Sequence, residues 1–167
     1  MRDGFIKIAA ATPDLHVADC EYNVSEIVKQ AKEAAAKGAK LITFPELCLT
    51  GYTCGDLFLQ ETLLEGAMQA LGTVCRETAE LQAVIVVGLP MRYNGKLYNV
   101  AAPIVHGRVL AFVPKIHIPN YSEFYEQRHF YSGKTLDDEG IEAKNIGVKT
   151  LNEEYNYIHI GNDFIFR

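Results

Sequence analysis

The sequence has 167 residues, 49% of them hydrophobic, and a net charge of −5 at pH 7. This length and composition predict one globular domain with a sizeable core and exclude a disordered chain. The negative charge argues against nucleic acid as a main partner, because phosphate binding favours a basic surface. No apolar run reaches membrane-spanning length and no signal peptide begins the chain, so we expect no membrane partner and a cytoplasmic location. The four cysteines lack zinc spacing and the five histidines stand singly, which predicts reduced thiols and no metal site.

The first part of the chain predicts a strand, a helix and a second strand. Residues 5–12 (FIKIAAAT) become wholly apolar, which predicts a central strand. Asn23 is the predicted N-cap of the helix, with a glutamate three residues later, and Gly38 marks its end. A buried strand over residues 40–44 follows directly, and the strands of such a unit are parallel.

The middle of the chain predicts a second helix and the change to antiparallel strands. An apolar stripe at helical spacing predicts a helix over residues 60–81, with Cys75 in the core, and a buried strand follows at 83–89. The Asn94-Gly95 pair predicts a tight hairpin turn. Further strands, the last two from weaker patterns, are predicted at residues 97–106, 109–114, 155–160 and 163–167. A mixed sheet with helical crossovers favours a layered α/β fold.

A glutamate follows the second predicted strand at the point where it ends. Pro45 cannot donate a ladder hydrogen bond, so the strand ends there, and Glu46 comes next. Open α/β sheets place ligand-facing groups at the carboxyl ends of their strands, which makes Glu46 a candidate general base. The alternative is a surface glutamate that caps the next turn.

The same pattern recurs with a lysine. Pro114 ends a predicted strand and Lys115 follows it, so two opposite charges come from strand ends and could meet in one pocket. A lysine in such a pocket supplies positive charge for the oxyanion of an acyl-transfer reaction. The alternative is that Glu46 and Lys115 form an ion pair with no further role. The long aromatic loop after Lys115 suggests a binding function, or else a cover for the core.

Two segments carry a resemblance to a known family. Residues 44–52 (FPELCLTGY) resemble the glutamate motif of the nitrilase, or carbon–nitrogen hydrolase, superfamily, and residues 113–130 (VPKIHIPNYSEFYEQRHF) resemble its lysine motif. With GYTCGDLF and PNYSEFYEQRHF, they are similar to the amino-terminal glutaminase domains of bacterial glutamine-dependent NAD synthetases. The resemblance implies a nitrilase-like α-β-β-α sandwich. Residues 1–167 would then be a partial glutaminase domain that lacks its C-terminal strands and the synthetase domain.

The resemblance also implies roles for particular residues. Matched by motif position, the catalytic residues are Glu46 as general base, Lys115 as oxyanion partner and Glu123 as an additional glutamate. The residues matched to the lining of the glutamine pocket are Tyr52, Tyr121 and Phe124. The implied reaction is hydrolysis of L-glutamine, whose ammonia passes to the protein's own synthetase domain for ATP-dependent amidation of nicotinic acid adenine dinucleotide to NAD. No cofactor is implied in this domain, whereas ATP and magnesium are expected in the synthetase domain.

The family's nucleophile has no counterpart in these residues. It is a cysteine in a later E-x-C-E-D motif, which does not occur in the 167 residues. Cys48 lies near Glu46, but no neighbouring group evidently activates its thiol, so packing or pocket lining is favoured. We therefore expect this chain to be inactive as a glutaminase. Two alternatives stay open: a stand-alone amidase or nitrilase, and a non-catalytic binding module with the same fold.

The resemblance makes two structural predictions. If Glu46 and Lys115 serve one site, their charged groups lie within a few ångströms of each other. A sheet without its last strands exposes an edge or an apolar patch, so we expect a homo-oligomer.

Overall fold

The computed structural model describes residues 4–136, 139–142 and 157–164 of the chain. The two α-helices in these ranges are α1 (Cys20–Ala36) and α2 (Glu61–Glu77). The strands are β1 (Ile8–Ala10), β2 (Leu41–Thr43), β3 (Val84–Tyr93), β4 (Lys96–Val105), β5 (Arg108–Val109), β6 (Ala111–Pro114), β7 (Glu139–Glu142) and β8 (Tyr157–Ile160). Short 3-10 helices lie at Gly55–Leu59, Glu126–Arg128 and Gly133–Thr135. Within the same ranges no helix combines the length and apolar character that a membrane crossing requires.

The strands form one mixed sheet in the order β1-β2-β3-β4-β6-β8-β7, with β5 paired to β4. The β1/β2 and β2/β3 pairs are parallel, while β3/β4 and β4/β6 are antiparallel. The predicted change from parallel to antiparallel pairing is therefore confirmed. Strands β2 and β6 flank the β3–β4 hairpin and run in the same direction, so their carboxyl ends lie at the same edge of the sheet. The residues that follow the two strands can therefore meet there.

The two helices pack against each other and cover one face of the sheet. The side chains of the core alternate along the strands, and the largest fully buried ones on β2, β3 and β4 are Ile42, Ile85, Leu89 and Ile104. The predicted apolar stripe of α2 is fully buried, including Cys75. Residues on the opposite face of the same strands, such as Val86 and Ala101, are only partly covered.

Several local predictions are confirmed by backbone geometry. Gly38 follows α1 with φ +85°, a conformation that an L-residue adopts at a cost. Asn94 and Gly95 form the turn between β3 and β4, both with positive φ, as a two-residue hairpin turn requires. The chain reverses there without a loop, so β4 lies directly beside β3.

The prediction of a central strand over residues 5–12 is wrong for the described sheet. β1 has three residues and stands first in the strand order, and Ile8 is 67% exposed. Phe5 and Ile6 are also exposed. An apolar run indicates a tendency to be buried, but it does not show which strands lie on either side.

The start of α1 also differs from the prediction. Asp19 is the N-cap, because its carboxylate accepts the backbone N–H of Tyr22. Asn23 lies inside the helix, fully buried, and its amide donates to the carbonyl oxygens of His16 and Leu49. Asn23 therefore ties α1 to the loop that follows β2, the loop that carries Glu46.

The remaining differences are at element ends. α2 ends at Glu77 instead of residue 81, and the predicted strand 109–114 is divided at Leu110, whose N–H bonds to the carbonyl of Pro103. Of the strand predicted at 155–160, residues 157–160 are confirmed as β8, and residues 155 and 156 lie outside the described residues. Of the strand predicted at 163–167, residues 163 and 164 are not in a strand, and residues 165–167 lie outside the described residues.

Candidate active site

The loop that carries Glu46 is built on the backbone of Gly88 in β3. The N–H of Leu49 and the thiol of Cys48 both bond to Gly88, and Leu47 has a φ of +54°. A Cβ at residue 88 would lie 2.5 Å from the Leu47 nitrogen and 3.1 Å from the Glu46 Cα. Because only glycine permits this approach, the loop packs directly on the backbone of β3, and this contact fixes the position of Glu46.

Lys115 directly follows the end of β6, and its side chain lies beside Glu46. Its backbone N–H donates to the carbonyl of Asn99 in β4 at 2.8 Å. Its Nζ lies 2.7 Å from Glu46 Oε1, which is the distance of a charge-assisted hydrogen bond. The prediction that the two charged groups meet is therefore confirmed.

A second carboxylate holds the lysine, and it belongs to Glu126. Lys115 Nζ lies 2.9 Å from Glu126 Oε2 and 3.2 Å from Oε1, and the Tyr52 hydroxyl donates to Oε1. Glu126 is only 8% exposed. Sequence matching pointed to Glu123, but that side chain is exposed, and its pKa is lowered mainly by a hydrogen bond from Ser122. The glutamate that contacts Lys115 is thus three residues further along the loop.

Asn99 was also missed by the sequence analysis. Its side-chain N–H₂ donates to Glu46 Oε1, the oxygen that Lys115 also contacts, and the residue is 3% exposed. The available signal was one amide side chain in the otherwise apolar strand LYNVAAPIV. A buried polar side chain in a strand needs a partner, and here the partner is Glu46.

The cluster keeps Lys115 charged. Burial acts to lower the pKa of Lys115, but hydrogen bonds to Glu46 and Glu126 outweigh it and raise the pKa. Burial, the largest cause, and the hydrogen bond to Glu126 raise the pKa of Tyr52, so its phenol stays protonated and remains a donor. The arrangement therefore offers a fixed positive charge beside a carboxylate, and such a charge can stabilise an oxyanion.

Several cavities adjoin this cluster and divide the predicted site residues among them, and one of about 930 Å³ is lined by Lys115 and Tyr121. Glu46, Lys115 and Asn99 line a cleft of about 340 Å³ on the partly covered face of the sheet. Tyr52 and Phe124 line a separate cavity of about 230 Å³, and so do Glu123 and Glu126. Tyr121 is mostly exposed and touches the ring of Phe124 edge-on. Glu126 and Tyr52 thus lie between the lysine and the aromatic cavity.

A comparison with known protein families matches residues 7–155 to the family described as Carbon-nitrogen hydrolase. The chain belongs to the carbon–nitrogen hydrolase family. Among curated relatives, it is 40% identical over 130 residues to a glutamine-dependent NAD(+) synthetase of Mycobacterium tuberculosis, a match that covers 78% of this chain and 19% of the relative. The chain spans about a fifth to a quarter of the length of the curated relatives it matches.

Solved structures show the same carbon–nitrogen hydrolase fold. A glutamine-dependent NAD(+) synthetase from Cytophaga hutchinsonii superposes with a TM-score of 0.82 at 27% identity, covering 97% of this chain and 26% of that one. An amidase from Nesterenkonia sp. superposes with a TM-score of 0.67 at 23% identity, covering 84% of this chain and 52% of the amidase. At that identity the amidase supports the fold alone. The nitrilase-type α/β architecture predicted from the motifs is therefore confirmed.

None of the four thiols of this carbon–nitrogen hydrolase chain is hydrogen-bonded to Glu46 or Lys115 in the part that the structure describes. Cys48 is fully buried, and burial raises the pKa of its thiol to about 12. Burial likewise raises the pKa of Cys75 to about 12 and that of Cys20 to about 11. Cys54 donates to the carbonyls of the 50–51 turn. These thiols are protonated at neutral pH and poorly suited to attack an amide.

The raised pKa values of Tyr52 and Lys115 predict a loss of stability at alkaline pH. The folded state holds both protons above the ordinary values of 10.0 and 10.5, so this contribution is complete below pH 10 and is lost as the pH rises through the folded values. The buried thiols of Cys20, Cys48 and Cys75 act in the same direction from their ordinary pKa of 9.0, so we expect the free energy of unfolding, measured by urea titration, to begin to fall near pH 9 and to fall more steeply above pH 10.

The Tyr52→Phe variant isolates the tyrosine's share of this effect. Its unfolding free energy should fall less steeply above pH 10 than that of the unmodified chain. The control is Tyr125→Phe, which removes an exposed tyrosine instead. Equal slopes for the unmodified chain and Tyr52→Phe would contradict the contact between Tyr52 and Glu126.

Proposed function

We propose that this chain is the part of a glutamine-dependent NAD synthetase that supplies the base and the oxyanion partner for glutamine hydrolysis. The observation that carries the proposal is the contact between Lys115 Nζ and Glu46 Oε1 at 2.7 Å. It is supported by relatives that bear the name glutamine-dependent NAD(+) synthetase. In this proposal the whole protein uses the ammonia for ATP-dependent conversion of nicotinic acid adenine dinucleotide to NAD.

The chemistry assigns one step to each charged group. A cysteine thiol, which these 167 residues do not provide, gives its proton to Glu46, and the thiolate attacks the carboxamide carbon of glutamine. Lys115 stabilises the oxyanion of the tetrahedral intermediate. The carbon–nitrogen bond then breaks, the nitrogen takes the proton from Glu46, and ammonia leaves. Water hydrolyses the thioester to glutamate with Glu46 as base again.

The remaining site residues have supporting roles in the proposal. Glu126, with Tyr52 bonded to it, holds the ammonium of Lys115 together with Glu46. The lining residues Tyr52, Tyr121 and Phe124 provide the walls for the aliphatic part of glutamine. Glu123, the additional glutamate of the motif match, lies at the same aromatic cavity with an exposed carboxylate.

The proposal also names partners and a location. The protein's own synthetase domain would receive the ammonia, and ATP and magnesium would bind there. The exposed side chains of β1 support self-association through this edge of the sheet. Four free cysteines support a reducing, cytoplasmic location.

The decisive experiment is to express the complete reading frame that contains this chain and to measure ammonia release from L-glutamine. We expect release that depends on glutamine and NAD formation that requires ATP and nicotinic acid adenine dinucleotide. Hydrolysis of simple amides without preference for glutamine and without NAD formation would favour a stand-alone amidase. Absence of any amide hydrolysis would favour a binding module, and either result would overturn the proposal.

A further inference from the structure

The two oxygens of the Glu46 carboxylate are used differently. Oε1 accepts hydrogen bonds from both Lys115 Nζ and the side-chain amide of Asn99. Oε2 accepts none from any residue within the described ranges. A carboxylate can take a proton on an oxygen that keeps a free lone pair, so the two oxygens differ in their ability to act as a base.

Asn99 is placed to control this difference. It lies within β4, paired with Pro90 of β3, and it is almost fully buried, so its side chain is fixed by the strand. Its backbone carbonyl accepts the N–H of Lys115 at 2.8 Å. One residue therefore fixes the backbone of the lysine and the carboxylate of the glutamate.

We propose that Asn99 is a positioning residue that, together with Lys115, occupies Oε1 of Glu46 and leaves Oε2 as the oxygen that accepts the nucleophile's proton. In this step the thiol S–H bond breaks and an O–H bond forms at Oε2. The sulfur keeps the electron pair and forms a bond to the amide carbon, while the C=O pair moves to the oxygen that faces Lys115. The chemical step rests on the proposed function, whereas the geometric claim does not.

Three substitutions at residue 99 separate positioning from packing. Asn99→Leu keeps the shape and removes the donor, and Asn99→Asp keeps the shape but places a like charge beside Glu46. Asn99→Gln keeps the amide donor, and the adjoining cleft of about 340 Å³ leaves room for its extra methylene. A positioning role ranks the variants Gln best, Leu next and Asp worst. A packing role instead ranks Leu best, because Leu keeps the shape of the side chain and adds no charge.

The first test uses the 167-residue chain and needs no activity. Three-bond NMR couplings report whether the Glu46 side chain occupies one rotamer. We expect one rotamer in the unmodified chain and in Asn99→Gln, but rotamer averaging in Asn99→Leu and Asn99→Asp. The matched control is Thr78→Val, which removes another buried hydrogen bond, to the Val74 carbonyl, and should leave the Glu46 couplings unchanged. A fixed Glu46 rotamer in Asn99→Leu would overturn the proposal.

The second test uses the complete reading frame and glutamine. Loss of one hydrogen bond to a charged group predicts a fall in kcat of roughly 10- to 100-fold for Asn99→Leu, with KM unchanged. In the Glu46→Gln background the same substitution should cause no further loss, because it acts through Glu46. Additive losses, or a rise in KM alone, would contradict the assignment. If no glutamine hydrolysis is found, the proposed function fails, and the NMR result still decides the role of Asn99.

Discussion

Replacement of Glu46 by glutamine in the complete reading frame is expected to lower glutamine hydrolysis by roughly 10²- to 10⁴-fold, which is the usual contribution of a general base. Glutamine has nearly the shape of glutamate, and its amide oxygen can still accept from Lys115 and Asn99. The substitution therefore removes the basic oxygen while it keeps the packing of the loop on Gly88. The measurement is the initial rate of ammonia release at saturating L-glutamine.

An internal control follows from the proposal that one domain releases ammonia and another domain uses it. If the ammonia is passed to a separate synthetase domain, ammonium chloride supplied in the medium should bypass the Glu46→Gln defect. NAD formation from added ammonium should then be unchanged while glutamine-dependent formation is lost. Equal loss with both nitrogen sources would show that the variant is damaged elsewhere. The 167-residue chain alone should release no ammonia, because its thiols are protonated and none is bonded to Glu46.

The pairing of Glu46 with Lys115 could be predicted because the cause lies in the local sequence. Each residue follows a proline that ends a strand, and the order of parallel and antiparallel strands then brings the two ends together. The buried stripe of α2 and the Asn94-Gly95 turn were predictable for the same reason. The stripe and the turn depend on spacing within about twenty residues, whereas the Glu46–Lys115 contact spans 69 residues and depends also on the predicted change from parallel to antiparallel strands.

The contacts of Asn99 and Glu126 could not be predicted in this way. Asn99 finds its partner 53 residues earlier in the chain, so the pattern LYNVAAPIV shows that a partner is needed but not which one. The choice between Glu123 and Glu126 depends on turn geometry. Ser122 has a φ of +54°, and the N–H of Glu126 bonds back to the carbonyl of Pro119, which turns Glu126 inward.

The second large effect is expected on replacement of Glu126, the glutamate that contacts Lys115, whereas Glu123 faces solvent. Glu126→Ala removes the acceptor of the Tyr52 hydroxyl and one of two carboxylates that hold Lys115. Hydrogen bonds to charged groups contribute about 1.5–3 kcal/mol each, and Lys115 keeps its contact with Glu46, so we expect a net loss of about 2 kcal/mol. In a domain of this size that loss lowers the Tm by about 4–8 °C.

The matched variant is Glu123→Ala, which removes a carboxylate of the same loop that faces solvent. Its effect on the free energy of unfolding should stay within about 0.5 kcal/mol, as for most surface substitutions. Thermal unfolding of the two variants and the unmodified 167-residue chain therefore measures which glutamate holds the lysine. In the complete reading frame, glutamine hydrolysis should fall for Glu126→Ala far more than for Glu123→Ala, because a displaced ammonium no longer faces the developing oxyanion. The reverse order would return the role to Glu123 and would mean that Lys115 works without the contact seen between its Nζ and Glu126.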